Sequence, residues 1–168
     1  MSNVQLLWDA SALAKRYYAE SGRDTVNALF AMTTLLPMLV PYVAYAETAS
    51  ILRRKFNADS LSRIDFTSAR FDLEKEVLLG TELALMEVSE AHILTGIALS
   101  DAHNINTADA SMLASYLEYA RSLPNNHKCC LVASDKHLLR AAKSEGLGTL
   151  NPQIVSPQEI VQHLAHLP

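Results

Sequence analysis

Val4-Gln5-Leu6-Leu7-Trp8-Asp9-Ala10-Ser11-Ala12-Leu13 is the stretch on which the architecture turns. Val4–Trp8 is a short apolar run bounded by polar residues, the pattern of a buried strand. Asp9, a helix-capping residue type, follows it directly. Residues 10–20 then carry Leu13, Ala14, Tyr17 and Tyr18 on one helical face, and Ser21-Gly22 stops the run. A buried strand feeding straight into a helix is the first half of a β/α unit.

The same alternation continues outward. Residues 24–35 read as a helix, 37–41 as an extended piece and 42–56 as a helix ending in the basic cluster Arg53-Arg54-Lys55. A long helix is expected over 60–79, with Gly80 past its end, then a strand over 82–88. Ser89 caps a helix running to about Ala102, and 107–123 form another, halted by Pro124-Asn125-Asn126. A strand over 128–134, a helix over 135–145, a last strand over Gly148–Leu150 and a helix over 157–164 complete the chain. Short apolar strands separated by helices predict a single α/β domain over residues 1–168, with a central parallel sheet flanked by helices on both faces. Ligands bind such sheets at the carboxyl ends of the strands, where Asp9 and Asp135 both fall.

The 168 residues suffice for one core, and 49% hydrophobic content is ordinary for a globular protein. A net charge of −4 does not advertise nucleic-acid binding, although a local basic patch is compatible with it. No apolar run approaches the ~18 residues of a membrane span, and Met1-Ser2-Asn3-Val4-Gln5 lacks the basic start and apolar core of a signal peptide, so a cytoplasmic protein is expected. Cys129 and Cys130 are adjacent and point to opposite faces of a strand, which fits buried thiols rather than a disulfide.

Four acids sit among small or apolar neighbours. They are Asp9, Glu47 in Val43-Ala44-Tyr45-Ala46-Glu47-Thr48-Ala49, Asp109 in Thr107-Ala108-Asp109-Ala110, and Asp135 after Leu131-Val132-Ala133-Ser134. A carboxylate leaves water at a cost of several kcal/mol unless it is compensated, and several together call for a divalent cation. Asp109 heads the stripe Met112, Leu113, Tyr116, Leu117, Ala120, which turns it toward the interior or a cleft. Small residues around Glu47 (Val43, Ala46, Ala49) would let its helix approach the sheet. Taken singly, Asp9 and Asp135 read more readily as helix caps than as ligands, while Asp109 also reads as a partner of the helix dipole and Glu47 as a solvated residue. Asp101 is a rival acid at a helix C-terminus, where a carboxylate is disfavoured. The chain has no Gly-x-Ser-x-Gly, no phosphate-binding Gly-Lys loop, no His-Glu-x-x-His and no Asp-x-Asp after the first strand, where Ser11 takes the second position. The six histidines read as surface or loop residues.

Leu7-Trp8-Asp9-Ala10-Ser11-Ala12-Leu13-Ala14-Lys15 followed by Tyr17-Tyr18-Ala19-Glu20-Ser21-Gly22 resembles the opening of PIN-domain nucleases, particularly VapC-like toxins. The Glu47 segment resembles their second acidic motif and Thr107-Ala108-Asp109-Ala110-Ser111-Met112-Leu113-Ala114 their third. Leu131-Val132-Ala133-Ser134-Asp135-Lys136-His137-Leu138-Leu139 resembles the closing strand, acid and helix. The resemblance covers roughly residues 5–152. It implies a three-layer α/β/α fold, an Mg²⁺- or Mn²⁺-dependent ribonuclease acting on RNA, a homodimer, and a small antitoxin protein as partner. It also implies Asp9, Glu47, Asp109 and Asp135 as metal-site acids, with Ser11 orienting the site. Ala10 departs from a frequent Thr, residues 58–80 are longer than in compact toxins, and Ser111-Met112 stand where Leu or His is common.

Asp9, Glu47 and Asp109 are expected to hold the principal ion, directly or through water, and Asp135 to hold a second ion or orient the attacking water. Lys15, Arg16, Arg53, Arg54 and Lys55 are candidates to track the RNA backbone. The helices over 10–20 and 42–56 offer a possible groove for a partner helix, although their apolar residues read equally as core. A non-catalytic PIN-like protein that binds RNA or a partner, and a phosphohydrolase of small esters, are the alternative readings.

Overall fold

β1 (Val4–Trp8) is the centre of the sheet, and all five of its residues are buried. The computed structural model describes residues 3–168. β1 leads through Asp9 into α1 (Ala10–Leu13), which tightens into a 3₁₀ turn over Ala14–Arg16. Then follow α2 (Arg23–Phe30), β2 (Met38–Pro41), α3 (Tyr42–Asn57), α4 (Arg63–Leu73) with a π-helical turn over Glu74–Leu78, and β3 (Leu83–Met86). α5 (Glu90–His103), α6 (Thr107–Ser122), β4 (Lys128–Val132), α7 (Lys136–Ser144), β5 (Gly148–Leu150) and α8 (Ile160–Ala165) complete the chain.

The five strands are all parallel, in the order β3-β2-β1-β4-β5. From β1 the chain builds outward on one side through β2 and β3, then crosses back through α5 and α6 to β4 on the other. Right-handed crossovers running in opposite directions put helices on opposite faces, which gives the three-layer α/β/α fold expected from sequence. The order reverses between β1 and β4, so their carboxyl ends flank the crevice where such sheets bind ligands. The core runs through both layers, with Leu6, Leu7, Trp8, Leu131 and Val132 from the sheet and Met112, Leu113 and Tyr116 from α6 fully enclosed. Cys129 and Cys130 are buried free thiols of β4.

Several boundaries differ from expectation, each for a local reason. The first helix ends at Arg16, not at residue 20. Lys15 and Glu20 would lie about 140° apart around a continuous helix; the chain instead turns, and the Lys15 ammonium donates to Glu20 at 3.0 Å. Gly22 enters α2 at φ +91°, with the backbone of Pro152 2.8 Å from where a Cβ would stand, so only glycine fits. α2 stops at Phe30 because Met32, Thr33 and Leu35 bond to carbonyls three residues back, closing the helix in tight turns. α4 begins at Arg63 because Ser62 caps it through the Asp65 amide. The strand expected over 82–88 shortens to the edge strand β3. In α3 the buried residues are Ala44, Thr48 and Leu52, while Val43 and Ala46 face outward, so the contact stripe lies one residue off the expected one. α5 and α6 pack closely at Gly96, where a Cβ would meet Ser111 at 2.7 Å.

Candidate metal centre

Asp9 caps α1 at the end of β1 and is 4% exposed. Its amide donates to the Val132 carbonyl at 3.1 Å, which ties it to the end of β4. Its Oδ2 accepts the Ser11 amide at 2.8 Å and the Ser11 hydroxyl. The same Ser11 oxygen accepts the amides of Ser134, at 2.8 Å, and Asp135, at 3.2 Å. Ser11 therefore holds the two strand ends of the crevice together through one hydroxyl and orients Asp9 while doing so.

Asp135 caps α7, and its Oδ1 accepts the amides of His137 at 2.7 Å and Leu138 at 2.9 Å. Asp109 stands in the first turn of α6. Its amide donates to Asn106 Oδ1 at 2.9 Å, and its Oδ2 accepts from Asn106 Nδ2 at 2.6 Å. The Tyr116 hydroxyl, two turns along α6, donates to the Trp8 carbonyl at 2.8 Å and so latches this helix onto the residue preceding Asp9. Glu47 is half-buried on α3 and makes no hydrogen bond or ion pair among the described residues.

The cap readings of Asp9 and Asp135 are thus correct, and each uses one oxygen only. In all three aspartates the second oxygen accepts no hydrogen bond from a described residue, and no lysine, arginine or histidine pairs with any of the four acids. Burial pushes Asp9 up to about 6, with Glu47 and Asp135 adding to the rise and the Ser11 bonds opposing it. Burial likewise raises Asp109 to about 7, reinforced by the charges of Asp9, Glu47 and Asp135 and opposed by Asn106. The charges of Glu47 and Asp135 thus reach Asp9, and those of Asp9, Glu47 and Asp135 reach Asp109. No three or more His, Cys, Asp or Glu side chains among the described residues are grouped so as to hold a metal ion directly. Oxygen donors with unused lone pairs, mutual repulsion and no basic partner fit a hard divalent ion that keeps part of its water shell. Asp101 is exposed on α5 and is not among the charges raising Asp9 or Asp109.

Asn106 was not singled out from the sequence, although an Asn three residues before an Asp at a helix start is a capping signal. Replacing Asn106 with Ala is expected to destabilise by about 1 kcal/mol through the lost cap and to raise Asp109 further. Asn106→Gly also removes the amide donor but costs the helix only about a few tenths of a kcal/mol, so it should raise Asp109 with little change in melting temperature. Carboxyl-detected NMR titration beside thermal melts checks this, and an Asp109 titration identical in all three proteins would refute it.

Of the basic residues expected to serve RNA, three are committed elsewhere. Lys15 is 2% exposed and bound to Glu20. Arg16 makes two hydrogen bonds to Glu76, at 2.8 and 3.2 Å, and one to Asn27. Lys55 pairs with Glu20 at 3.6 Å and lies over the Tyr18 ring. The expected groove on the first and third helices is also largely absent, because Ala10, Ala12, Leu13, Ala14, Tyr17 and Tyr18 are core. His103 and His163 are half-buried rather than superficial, bound to Glu145 at 2.7 Å and to the Thr149 carbonyl at 2.7 Å.

No protein-family model and no curated protein sequence matches the chain. Solved structures do. PAE2754 from Pyrobaculum aerophilum is 20% identical and superposes with a TM-score of 0.59 over 97% of each chain. FitAcB from Neisseria gonorrhoeae is 15% identical, with a TM-score of 0.61 over 89% of this chain and 99% of that one. A toxin-antitoxin complex from Klebsiella pneumoniae is 11% identical, with a TM-score of 0.56 over 88% of this chain and 97% of that one. At these identities the likeness is one of fold, and it spans nearly the whole chain: this protein has the three-layer PIN-like fold that its acidic motifs led us to expect.

Proposed function

We propose that this protein is an Mg²⁺- or Mn²⁺-dependent endoribonuclease, the toxin of a type II toxin-antitoxin pair. The observation that carries the reading is a set of four carboxylates, Asp9 and Asp135 beyond the carboxyl ends of β1 and β4 with Glu47 and Asp109 on the neighbouring helices, each with at least one oxygen that no described residue engages and none with a cationic partner. Asp9, Glu47 and Asp109 would hold the principal ion, directly or through water, with Asp135 beside them. Bound there, the ion supplies a water of lowered pKa and charge relief on the phosphoryl oxygens. Ser11 and Asn106 fix the Asp9 and Asp109 carboxylates, so little reorganisation is needed when charge develops. Glu47, free of hydrogen bonds, is able to accept one from the attacking water. Because Asp9 and Asp109 must be deprotonated to ligate, ion binding should strengthen as pH rises through about 6 to 7.

An antitoxin partner is supported by the toxin-antitoxin assemblies among the structural neighbours and by apolar side chains left open on the surface. Ile64 and Phe71 on α4 and Leu94 on α5 are 81%, 64% and 61% exposed. No helix among the described residues is long and apolar enough to cross a membrane. The alternative, a non-catalytic PIN-like binding protein, is favoured by the lack, among the described residues, of three or more His, Cys, Asp or Glu side chains grouped to hold an ion. Incubation of the protein with single-stranded and structured RNA in Mg²⁺, Mn²⁺ or chelator separates the two. Cleavage that appears with metal and vanishes with chelator is expected; intact RNA under every condition would leave the binding protein as the correct reading.

A further inference from the structure

α3 and α4 are held side by side by a stacked pair, Phe56 and Phe66, with centroids 4.8 Å apart. Beside that stack they enclose a cleft of about 420 Å³ lined by Ala49, Ser50, Arg53, Arg54, Phe66 and Arg70. Arg53 lies over the Phe66 ring at 4.5 Å, which fixes its guanidinium at the rim. None of the three arginines forms an ion pair or a side-chain hydrogen bond with a described residue. That is unusual in a chain with 18 acids for 14 bases, several of which do find partners nearby. Three guanidiniums line one cleft with no acid among its lining residues, and an anion bound there would pair with them. The arginine fork matches phosphate oxygens in geometry as well as charge.

The cleft shares a helix with the carboxylates. Ser50 and Arg54 follow Glu47 by three and seven residues, on one face of α3. Arg54 therefore lies roughly 10 Å along the axis from Glu47, within a few nucleotides of any phosphodiester placed at the acids. The geometry points to a phosphate subsite: Arg53, Arg54 and Arg70 take a backbone phosphate of single-stranded RNA flanking the bond that is cut. The inference rests on the ribonuclease reading for the identity of its ligand. An acidic protein segment would also satisfy the arginines, but it has no reason to be aligned with Glu47.

The test measures binding of a short fluorescent single-stranded RNA across a salt series, in the Asp9→Asn background so that the probe stays intact. Arg54→Ala combined with Arg70→Ala is expected to weaken binding at least about tenfold and to flatten the salt slope by about 1.4, since each single-strand phosphate contact contributes about 0.7. Arg53 is left in place because it packs on the rings. Lys75→Ala with Arg121→Ala removes the same charge elsewhere and should leave the slope nearly unchanged, while Arg54→Lys with Arg70→Lys should restore most of it. Equal slopes in the two alanine pairs, no RNA binding, or arginine-dependent binding of an oligoglutamate peptide in place of RNA would each overturn the subsite. If wild-type protein cuts RNA while the slopes agree, the subsite fails and the ribonuclease reading stands. If the slope flattens but no RNA is cut under any metal condition, the arginines bind an RNA phosphate without serving cleavage, and the ribonuclease reading fails.

Discussion

Asp9→Asn should reduce metal-dependent RNA cleavage by about 10²–10³ without loss of the fold. The amide oxygen of Asn accepts the same bonds from the Ser11 amide and hydroxyl that Asp9 Oδ2 accepts now. The other oxygen, which no described residue engages, becomes an NH₂ group that donates and cannot ligate a cation. The variant thus removes one unit of negative charge and one ligand atom while sparing the Ser11 bridge to Ser134 and Asp135. Metal charge stabilisation is worth several kcal/mol in the transition state, and each 1.36 kcal/mol is tenfold in rate, which sets the expected range. Asp101→Asn, on the exposed side of α5, is the matched control and should cut at the wild-type rate. Steady-state cleavage of one RNA by the three proteins decides it. Wild-type activity in Asp9→Asn would remove Asp9 from the metal site and leave the switch-point acids without a catalytic role.

The strands and their order of appearance were readable because each is a short apolar run ended by a capping residue or a turn. The places of Asp9, Asp109 and Asp135 at helix starts were readable because each follows a strand or loop and precedes a helical apolar stripe, although each alone also reads as a cap or a partner of the helix dipole. The basic residues were misjudged for a different reason. Lys15, Arg16 and Lys55 look like a solvated or RNA-facing set in one dimension, yet their partners Glu20 and Glu76 reach them only after the chain turns at Tyr17 and α4 folds back. The same long-range pairing explains why Arg70, 16 positions beyond Arg54, could not be joined to it from sequence: only the α3–α4 packing brings them to one cleft. Helix ends at residues 16 and 30 escaped because the chain tightens there into three-residue turns that no Gly or Pro announces. Asn106 carried a local signal, but its significance depends on Asp109 belonging to the site.

Without metal, the protein should lose stability as pH rises from about 4 to about 8, and Mn²⁺ should restore it at the upper end. The sign follows from the direction of the shifts. Asp9 and Asp109 are raised from 3.8 to about 6 and about 7, so between these values the folded chain binds more protons than the unfolded chain. Stability then falls with increasing pH through that window. The Asp9 shift alone corresponds to roughly 3 kcal/mol by pH 8. Asp109 acts in the same direction but is partly open to solvent, which screens it, and the two carboxylates titrate as a coupled set rather than additively. For a chain of this length roughly 3 kcal/mol is about 6–12 °C in melting temperature. A cation that binds only the folded state at a hundred times its Kd returns about 2.7 kcal/mol, enough to flatten most of the decline, and it should do little at pH 5, where protons already neutralise the site. Asp9→Asn should show a shallower decline and a higher melting temperature than wild type in chelator at pH 8, which separates the effect from titration of the six histidines. Melting curves in chelator and in Mn²⁺ at pH 5 and pH 8 supply every comparison. A metal-free protein as stable at pH 8 as at pH 5, with Asp9→Asn no more stable than wild type, would mean that burial and neighbouring charge do not disfavour the Asp9 and Asp109 carboxylates enough to call for an ion.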